Sequence, residues 1–434
     1  DCISDQERDS LLKIASQNAI RLSLNSRSVN SKTANVTFDW PLQKDISLAD
    51  PGYYAISNYV DQNTASSQVK DYNCGAITYD GHKGTDIVLW PFNYDKMNGN
   101  LVKVVAAEAG TITYWHDGEF DLNCASNSNP ANAIIIQHVD GSVALYWHMK
   151  KNSLTAKGVG SAVSKGEFLG VVGSSGNSTD PHLHFEVYTT ASKTNLIDPF
   201  SGTCNLLNGT SSWWTSQLPY YDAKLDKIMT GSALPVVKWG CPANGSVSYE
   251  KKTFSPGEIV YLSAFYHLER SADNTAFKIY RPDGSVWKTW SRTSTSDYNY
   301  PTYWCWNYTL PTNAPMGKWK FEAIYKTQTV TTDFYVGTTG AIGENIQAAT
   351  FHIYTDPAGR ELTIIAGDGV KKKCGISVID LFGRQVYSEN WDITNSTIKI
   401  ITLPSDMAFG IYTVVVNNID GETQTMKKIV KLNE

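Results

Sequence analysis

The sequence predicts a mainly β, multidomain protein with one short N-terminal helix. Three observations carry this. At 434 residues the chain has room for roughly two to four domains. Most apolar residues fall in short runs, alternating with polar positions and cut by Gly or Asp-Gly, the pattern of strands and turns. Helical spacing shows in residues 5–24, before those runs begin.

In chain order, 1–37 reads as that helix and a linker. Leu11, Leu12, Ile14 and Ala15 carry the spacing, acids cluster near the start, and a Ser/Asn-rich stretch follows. From "FDWPL" to Cys204, residues 38–204 form a first β unit. It contains "GTDIVLWPF", "NAIIIQHVDGSVALYWHM" and "KGEFLGVVGSSG", with a hairpin through Asp140-Gly141. A polar, Trp-containing connector spans 205–219. A second unit, 220–338, reads as a β-sandwich, with turns at Pro256-Gly257 and Asp283-Gly284. A linker, 339–347, leads to a third unit, 348–434, read as a small Ig-like sandwich. The units are expected as beads on a string.

Composition narrows the function. Apolar residues make up 41% and charged ones 18%, so the chain can bury sizeable cores. A net charge of −5 excludes a nucleic-acid binder that works by bulk positive charge. No apolar run reaches the length of a membrane span. Without a starting Met or a signal-like segment, the chain is expected to begin after a removed leader. The cysteines, at 2, 74, 124, 204, 241, 305 and 374, form no Cys-x-x-Cys pair, so a cysteine zinc site is not expected. Single, spread cysteines suit disulfides in an oxidising compartment. Cys241 with Cys305 is favoured because they are alone in their segment. Cys74 with Cys124 and Cys2 with Cys204 follow, and Cys374 is left over.

The chemistry concentrates in "PHLHFEVY", 181–188. Leu183, Phe185 and Val187 alternate with His182, His184 and Glu186, so two imidazoles and a carboxylate share one strand face. Alone, such a pair is equally the polar face of a half-exposed strand. A second piece is "GHKGTDIVLW", where His82 and Asp86 flank Gly84; the glycines and the run "IVLW" favour a loop entering a strand. A third is "ALYWHMK". There Leu145, Trp147 and Met149 alternate with Tyr146 and His148, which sends His148 off the core face. Together these give four of the eight histidines and one Asp on Gly-flanked β elements. Zinc takes His nitrogen and carboxylate oxygen, and a catalytic zinc needs three protein ligands and an open position. Five candidates for three positions leave two for proton transfer.

"HKGTD", "YWHM" and "STDPHLHFEV", in this order, resemble the lysostaphin/LytM family of zinc metalloendopeptidases over residues 38–200. That family shows His-x-Gly-x-Asp, Tyr-x-His-Leu/Met and Gly-Pro-His-Leu-His-Phe-Glu. Asp180 stands where the family usually has Gly and adds a carboxylate beside the site. The resemblance implies an antiparallel β catalytic domain with His82, Asp86 and His184 as zinc ligands. It places His148 and His182 around the open position. Bound zinc would lower the pKa of its water to about 7 and polarise the scissile carbonyl. One histidine would take a proton and the other would stabilise the oxyanion or protonate the leaving amine. Glu186 either orients a ligand from behind or faces solvent. His116 and His138 read as structural or surface residues, and His267 and His352 as bystanders.

The second unit is dense in aromatics. Alternation puts Trp304, Trp306 and Tyr308 on one face and Cys305 on the other, with core and interface use favoured over glycan binding. In the third unit, "IYTDPAGRELTI", "GISVIDLFGRQVYS", "MAFGIYTVVV" and "KKIVKLN" resemble the C-terminal sorting domain of type IX secretion cargo. That family usually opens Tyr-Pro-Asn-Pro where this chain has Tyr354-Thr355-Asp356-Pro357. The two resemblances imply a secreted or surface zinc endopeptidase, exported across the outer membrane of a Bacteroidetes-type bacterium. It would cut peptidoglycan stem peptides or cross-bridges. A broad protease acting on Gly-rich proteins and a non-catalytic wall-binding relative are the alternatives. All five site residues are present, which argues against the last.

Overall fold

The computed structural model describes residues 3–24, 36–190, 193–208, 211–238 and 246–337. Towards the C-terminus it describes 351–355, 361–366, 373–380, 384–393, 398–404, 407–408, 410–418 and 423–431. The chain divides into two compact units, Asp1–Thr339 and Gly340–Glu434.

The first unit opens with helix α1 (Asp5–Arg21), capped by the Ser4 hydroxyl, which accepts a hydrogen bond from the Glu7 amide. Its buried stripe is Arg8, Leu11, Leu12, Ala15 and Ala19. Ile14, expected on that stripe, lies off it and is 40% exposed. The strands that follow are β1 (Leu42–Lys44), β2 (Tyr54–Asn58), β3 (Thr85–Leu89), β4 (Val102–Val105), β5 (Gly110–His116) and β6 (Asn132–Gln137). They continue with β7 (Val143–Met149), β8 (Ala162–Val163), β9 (Phe168–Val171), β10 (His182–Thr190) and β11 (Lys193–Ile197). A short helix, α2 (Asn93–Asn98), lies between β3 and β4.

The main sheet runs β2-β3-β10-β7-β6-β5-β8, with β11 beside β10, and a small sheet runs β1-β4-β9. On one face Leu183, Phe185 and Val187 of β10 join Ile134, Ile136 and Tyr146 and the small sheet's Val102, Val104 and Leu169 in the main core. On the other, Leu145, Trp147, Ile135 and Tyr188 are covered by Leu11, Leu12 and Ala15 of α1. The sheet is therefore buried on both faces where α1 lies. The face that carries His184 and Glu186 is the α1 face, and the site opens beyond the helix.

The sandwich comprises β12 (Lys224–Gly231), β13 (Thr253–Phe254), β14 (Ile259–His267), β15 (Asn274–Tyr280), β16 (Val286–Thr293), β17 (Thr302–Thr309), β18 (Gly317–Tyr325) and β19 (Gln328–Val336). Its sheets, β12-β14-β17 and β13-β19-β18-β15-β16, enclose Leu262, Phe277, Trp319 and Phe321. Trp287, Trp290, Trp304, Trp306 and Tyr308 pack against that core, so the aromatic row is chiefly a core element. Met229 and Phe265, on the sandwich's outer face, pack with Ala55, Val88, Trp90 and Phe92 of the first β region. Lys96 and Lys227 both reach Asp50, at 3.0 and 2.8 Å. The first two beads are thus fused into one unit by an apolar seam and a partly buried charge cluster. In the second unit, a three-stranded and a four-stranded sheet pack through Ile364, Ile376, Val378 and Val414.

The cysteine pairings differ from expectation. Cys74 bonds Cys204, with Cα atoms 5.1 Å apart across 130 residues of sequence, which overturns both Cys74–Cys124 and Cys2–Cys204. Cys124 is also in a disulfide. Cys305 is a free thiol, which overturns Cys241–Cys305. It faces Ser263 across the β14–β17 pair, Sγ to Oγ 3.3 Å. Cys2 and Cys241 themselves lie outside the described residues.

Candidate active site

The register of two strands builds the centre of the site. β3 and β10 pair antiparallel with Asp86 directly opposite His184, which places both side chains on one face. His184 Nδ1 lies 2.7 Å from Asp86 Oδ1. His82, from the loop that enters β3, brings Nε2 to 3.1 Å from Asp86 Oδ2 and 3.3 Å from His184 Nδ1. One ligand atom from each of His82, Asp86 and His184 lies within 4.8 Å of the others, and all three residues are buried.

The outer contacts fix which nitrogen faces inward. His82 Nδ1 donates to the Tyr59 carbonyl at 2.7 Å, which turns Nε2 to the cluster. His184 Nε2 contacts Glu186 Oε1 at 2.7 Å, which turns Nδ1 to the cluster. Asn58 Nδ2 donates to Asp86 Oδ2 at 3.0 Å. Burial raises the Asp86 pKa, but His82 and His182 beside it and the hydrogen bonds from His184 and His82 outweigh this and hold it well below the carboxylate range. An ionised carboxylate and two imidazole nitrogens, each backed by a fixed hydrogen bond, form a donor set that fits a divalent cation of borderline hardness.

Two further histidines flank the cluster. His182 Nδ1 donates to the Asp180 carbonyl at 2.7 Å, and its Nε2 lies 3.6 Å from Asp86 Oδ1. His148 Nδ1 donates to the Ser175 carbonyl at 2.6 Å, and its ring centre is 4.5 Å from that of His182. His148 reaches this position by a route that alternation does not describe. Tyr146, one alternation before it, lies in the main core, so a regular strand would bury His148 there too. Instead His148 has φ 65°, a left-handed conformation that breaks the alternation and turns the ring toward His182. Such a conformation in a non-glycine residue costs on the order of 1–3 kcal/mol and concentrates at functional sites.

Glu186 is 1% exposed, so it does not face solvent. Burial raises its pKa, and Arg8 and His184 more than reverse this, holding the carboxylate ionised. Arg8 carries no sequence motif; its one signal is a charge on the helix's apolar stripe. His116 pairs with Glu119 at the surface, and buried His138 donates from Nδ1 to the Ala109 carbonyl at 2.9 Å, away from the cluster. His267 is ion-paired with Asp226 in the sandwich. The side chain of His352 lies outside the described residues.

The site opens into a cavity of about 440 Å³. Asp86 and His182 line its floor. Asn58 and Tyr79 stand on one side, Asn177 and Asp180 on the other, and Tyr300 of the sandwich completes the rim. Asp180 accepts from Asn93 Nδ2 at 2.9 Å. The sequence placed Asp180 near the site; it gave no sign that a loop of the sandwich would reach it.

Fold and site together define a β domain built around a two-histidine, one-aspartate cluster at the floor of a cleft. Comparison shows what it is similar to: residues 80–199 match the model of peptidase family M23, and residues 352–432 match that of the secretion system C-terminal sorting domain. Over 97 residues the chain is 34% identical to the DD-carboxypeptidase/endopeptidase Mpg of Neisseria meningitidis serogroup B, covering 22% of each chain. Over 125 residues it is 34% identical to the cell division protein DipM of Caulobacter vibrioides, covering 25% of this chain and 20% of that protein. The chain thus spans about a fifth of the length of these relatives. Among solved structures, a peptidase M23 from Pseudomonas aeruginosa aligns at 18% identity and a TM-score of 0.22, over 40% of this chain and 54% of that one. The sorting domain points to secretion. No helix among the described residues is long and apolar enough to cross a membrane.

Proposed function

We propose that the protein is a secreted zinc metalloendopeptidase that hydrolyses peptide bonds in peptidoglycan. The observation that carries this is the pairing of Asp86 with His184, which, with His82, gathers three donor atoms beside the cleft that Asp86 and His182 line. The name of the Neisseria relative, a DD-carboxypeptidase/endopeptidase, supports a wall-peptide substrate over a general protein substrate. His82, Asp86 and His184 would hold the ion. Bound there, zinc supplies Lewis acidity, which makes water a usable nucleophile near neutral pH and polarises the scissile carbonyl. His182 and His148 each commit Nδ1 to a backbone carbonyl, so the opposite nitrogen is the one that exchanges protons with the reacting groups. Asp86 would supply a negative charge to the ion. Export through type IX machinery, to the surface or medium of a Bacteroidetes-type cell, is the reading that the sorting-domain match supports.

The test is digestion of several purified sacculi, with and without chelator, and mass spectrometry of the fragments. Release of peptides cut at amide bonds, abolished by chelator and restored by zinc, is expected. Intact sacculi of every chemotype in the presence of zinc-loaded protein would sink the reading.

The sandwich contributes to substrate binding under this reading. Tyr300 is 61% exposed at the cleft rim, so Tyr300→Ala should leave the fold unchanged. Steady-state kinetics on a soluble wall peptide should show KM raised roughly three- to tenfold with kcat preserved, since the ring contacts substrate remote from the scissile bond. A fall in kcat at unchanged KM would contradict that role.

A further inference from the structure

The contact between α1 and the site is denser than a helix packed on a sheet requires. Arg8, on the apolar stripe, is 2% exposed. Its Nε lies 3.1 and 2.9 Å from the two Glu186 oxygens, and its Nη2 lies 2.9 Å from Oε1. Tyr188 donates to Glu186 Oε2 at 2.7 Å. Both carboxylate oxygens are thus committed, and Oε1 also holds His184 Nε2 at 2.7 Å. Asp5, one turn earlier, accepts from Arg8 Nη1 at 2.7 Å and from Lys83, which sits between His82 and Gly84. The first turns of α1 therefore hold both the loop that carries His82 and the strand that carries His184.

A buried ion pair is a poor device for stability alone, because an apolar pair of similar volume usually serves as well or better. The rest of the α1 stripe, Leu11, Leu12 and Ala15, already seals the helix against Trp147, Leu145 and Ile135. What an apolar residue at position 8 could not do is hold a carboxylate oriented behind His184. A carboxylate in that place selects the tautomer with the proton on Nε2 and makes Nδ1 a stronger donor.

We propose that Arg8 is a positioning residue of the metal centre, acting through Glu186 on His184, so that α1 is part of the site although it never reaches the cleft. This rests on the proposed metal reading. Its consequence is that the metal affinity of the catalytic region depends on docking of the N-terminal helix.

The test measures zinc affinity of the full chain by competition with a chromophoric chelator, beside thermal unfolding of the metal-free protein. The variants are Arg8→Met, Glu186→Gln, the double variant and Arg8→Lys. Arg8→Met should weaken zinc binding about 10- to 100-fold, the range typical when the partner behind a ligand is lost. The double variant should bind no more weakly than Glu186→Gln alone, because the two residues act in series. Arg8→Lys should recover part of the affinity, keeping the charge but not the fork. If Arg8→Met fails to fold around an unpaired carboxylate, the double variant, neutral at both positions, carries the test. A folded double variant with zinc affinity within twofold of the parent overturns the proposal, even if its unfolding midpoint falls, since that is the mark of a purely structural tether. Losses that multiply in the double variant overturn it too. A parent chain that binds no zinc removes the metal reading, and this proposal with it.

Discussion

His184→Ala should abolish zinc binding and wall hydrolysis together. His184 is buried at the middle of the cluster, with one nitrogen 2.7 Å from Asp86 and the other 2.7 Å from Glu186. Its loss leaves one histidine and one carboxylate to hold the ion, short of the three ligands a catalytic zinc needs. If the ion supplies about 4 kcal/mol of transition-state stabilisation, the rate falls roughly a thousandfold. His182→Ala and His148→Ala should behave differently. Neither belongs to the tight cluster, so each should keep one equivalent of metal and lose roughly 10²–10⁴-fold in kcat, the usual contribution of a positioned acid or base. Metal content by elemental analysis after desalting, read beside fragment release, separates the two classes. A His184→Ala protein that retains an equivalent of zinc and cuts sacculi would refute the ligand assignment, and a His182→Ala protein that loses its metal would redraw it.

The parts of the site that depend on local pattern were legible in the sequence. Alternation in 181–188 puts His184 and Glu186 on one face and Phe185 in the core, and the strand does this. The Asp140-Gly141 hairpin is likewise local, with β6 and β7 pairing from Gln137 with Val143. Where the outcome depends on which distant segments meet, the pattern was silent or misleading. That Asp86 pairs with His184, 98 residues away, is set by the sheet order and not by either segment. Cys74 closes on Cys204 across 130 residues, while the grouping of cysteines by segment favoured other partners. Alternation gave the wrong reason for His148, because one left-handed residue turns the ring out of the core. The seam that joins the first two β regions was hidden for another reason. Trp90, Phe92 and Phe265 read as ordinary strand and loop hydrophobics until their common surface is seen.

Gly84→Ala should impair the metal centre although residue 84 binds nothing. A Cβ at this position would lie 2.6 Å from His184 Cε1, 2.7 Å from His184 Nε2 and 2.9 Å from the Phe185 carbonyl. The carbonyl cannot yield easily, because Phe185 is paired with Thr85 in the β3–β10 ladder. The ring must move instead, and its Nε2 is the atom held by Glu186. Displacing it by a few tenths of an ångström loosens that bond and swings Nδ1 off Asp86. Zinc affinity should fall by about 10- to 100-fold, and the metal-free protein should lose on the order of 1–3 kcal/mol through overpacking. Gly81 is the natural control. It has φ 77°, yet a Cβ there meets nothing within 4 Å. Gly81→Ala should therefore cost about 1–2 kcal/mol of backbone strain and leave zinc affinity intact. Chelator competition and thermal unfolding on both variants distinguish crowding of the ligand from simple loss of stability. Equal zinc affinity in Gly84→Ala and the parent would show that the His184 ring is not held against this backbone, and that the spacing of "HKGTD" serves the turn and not the site.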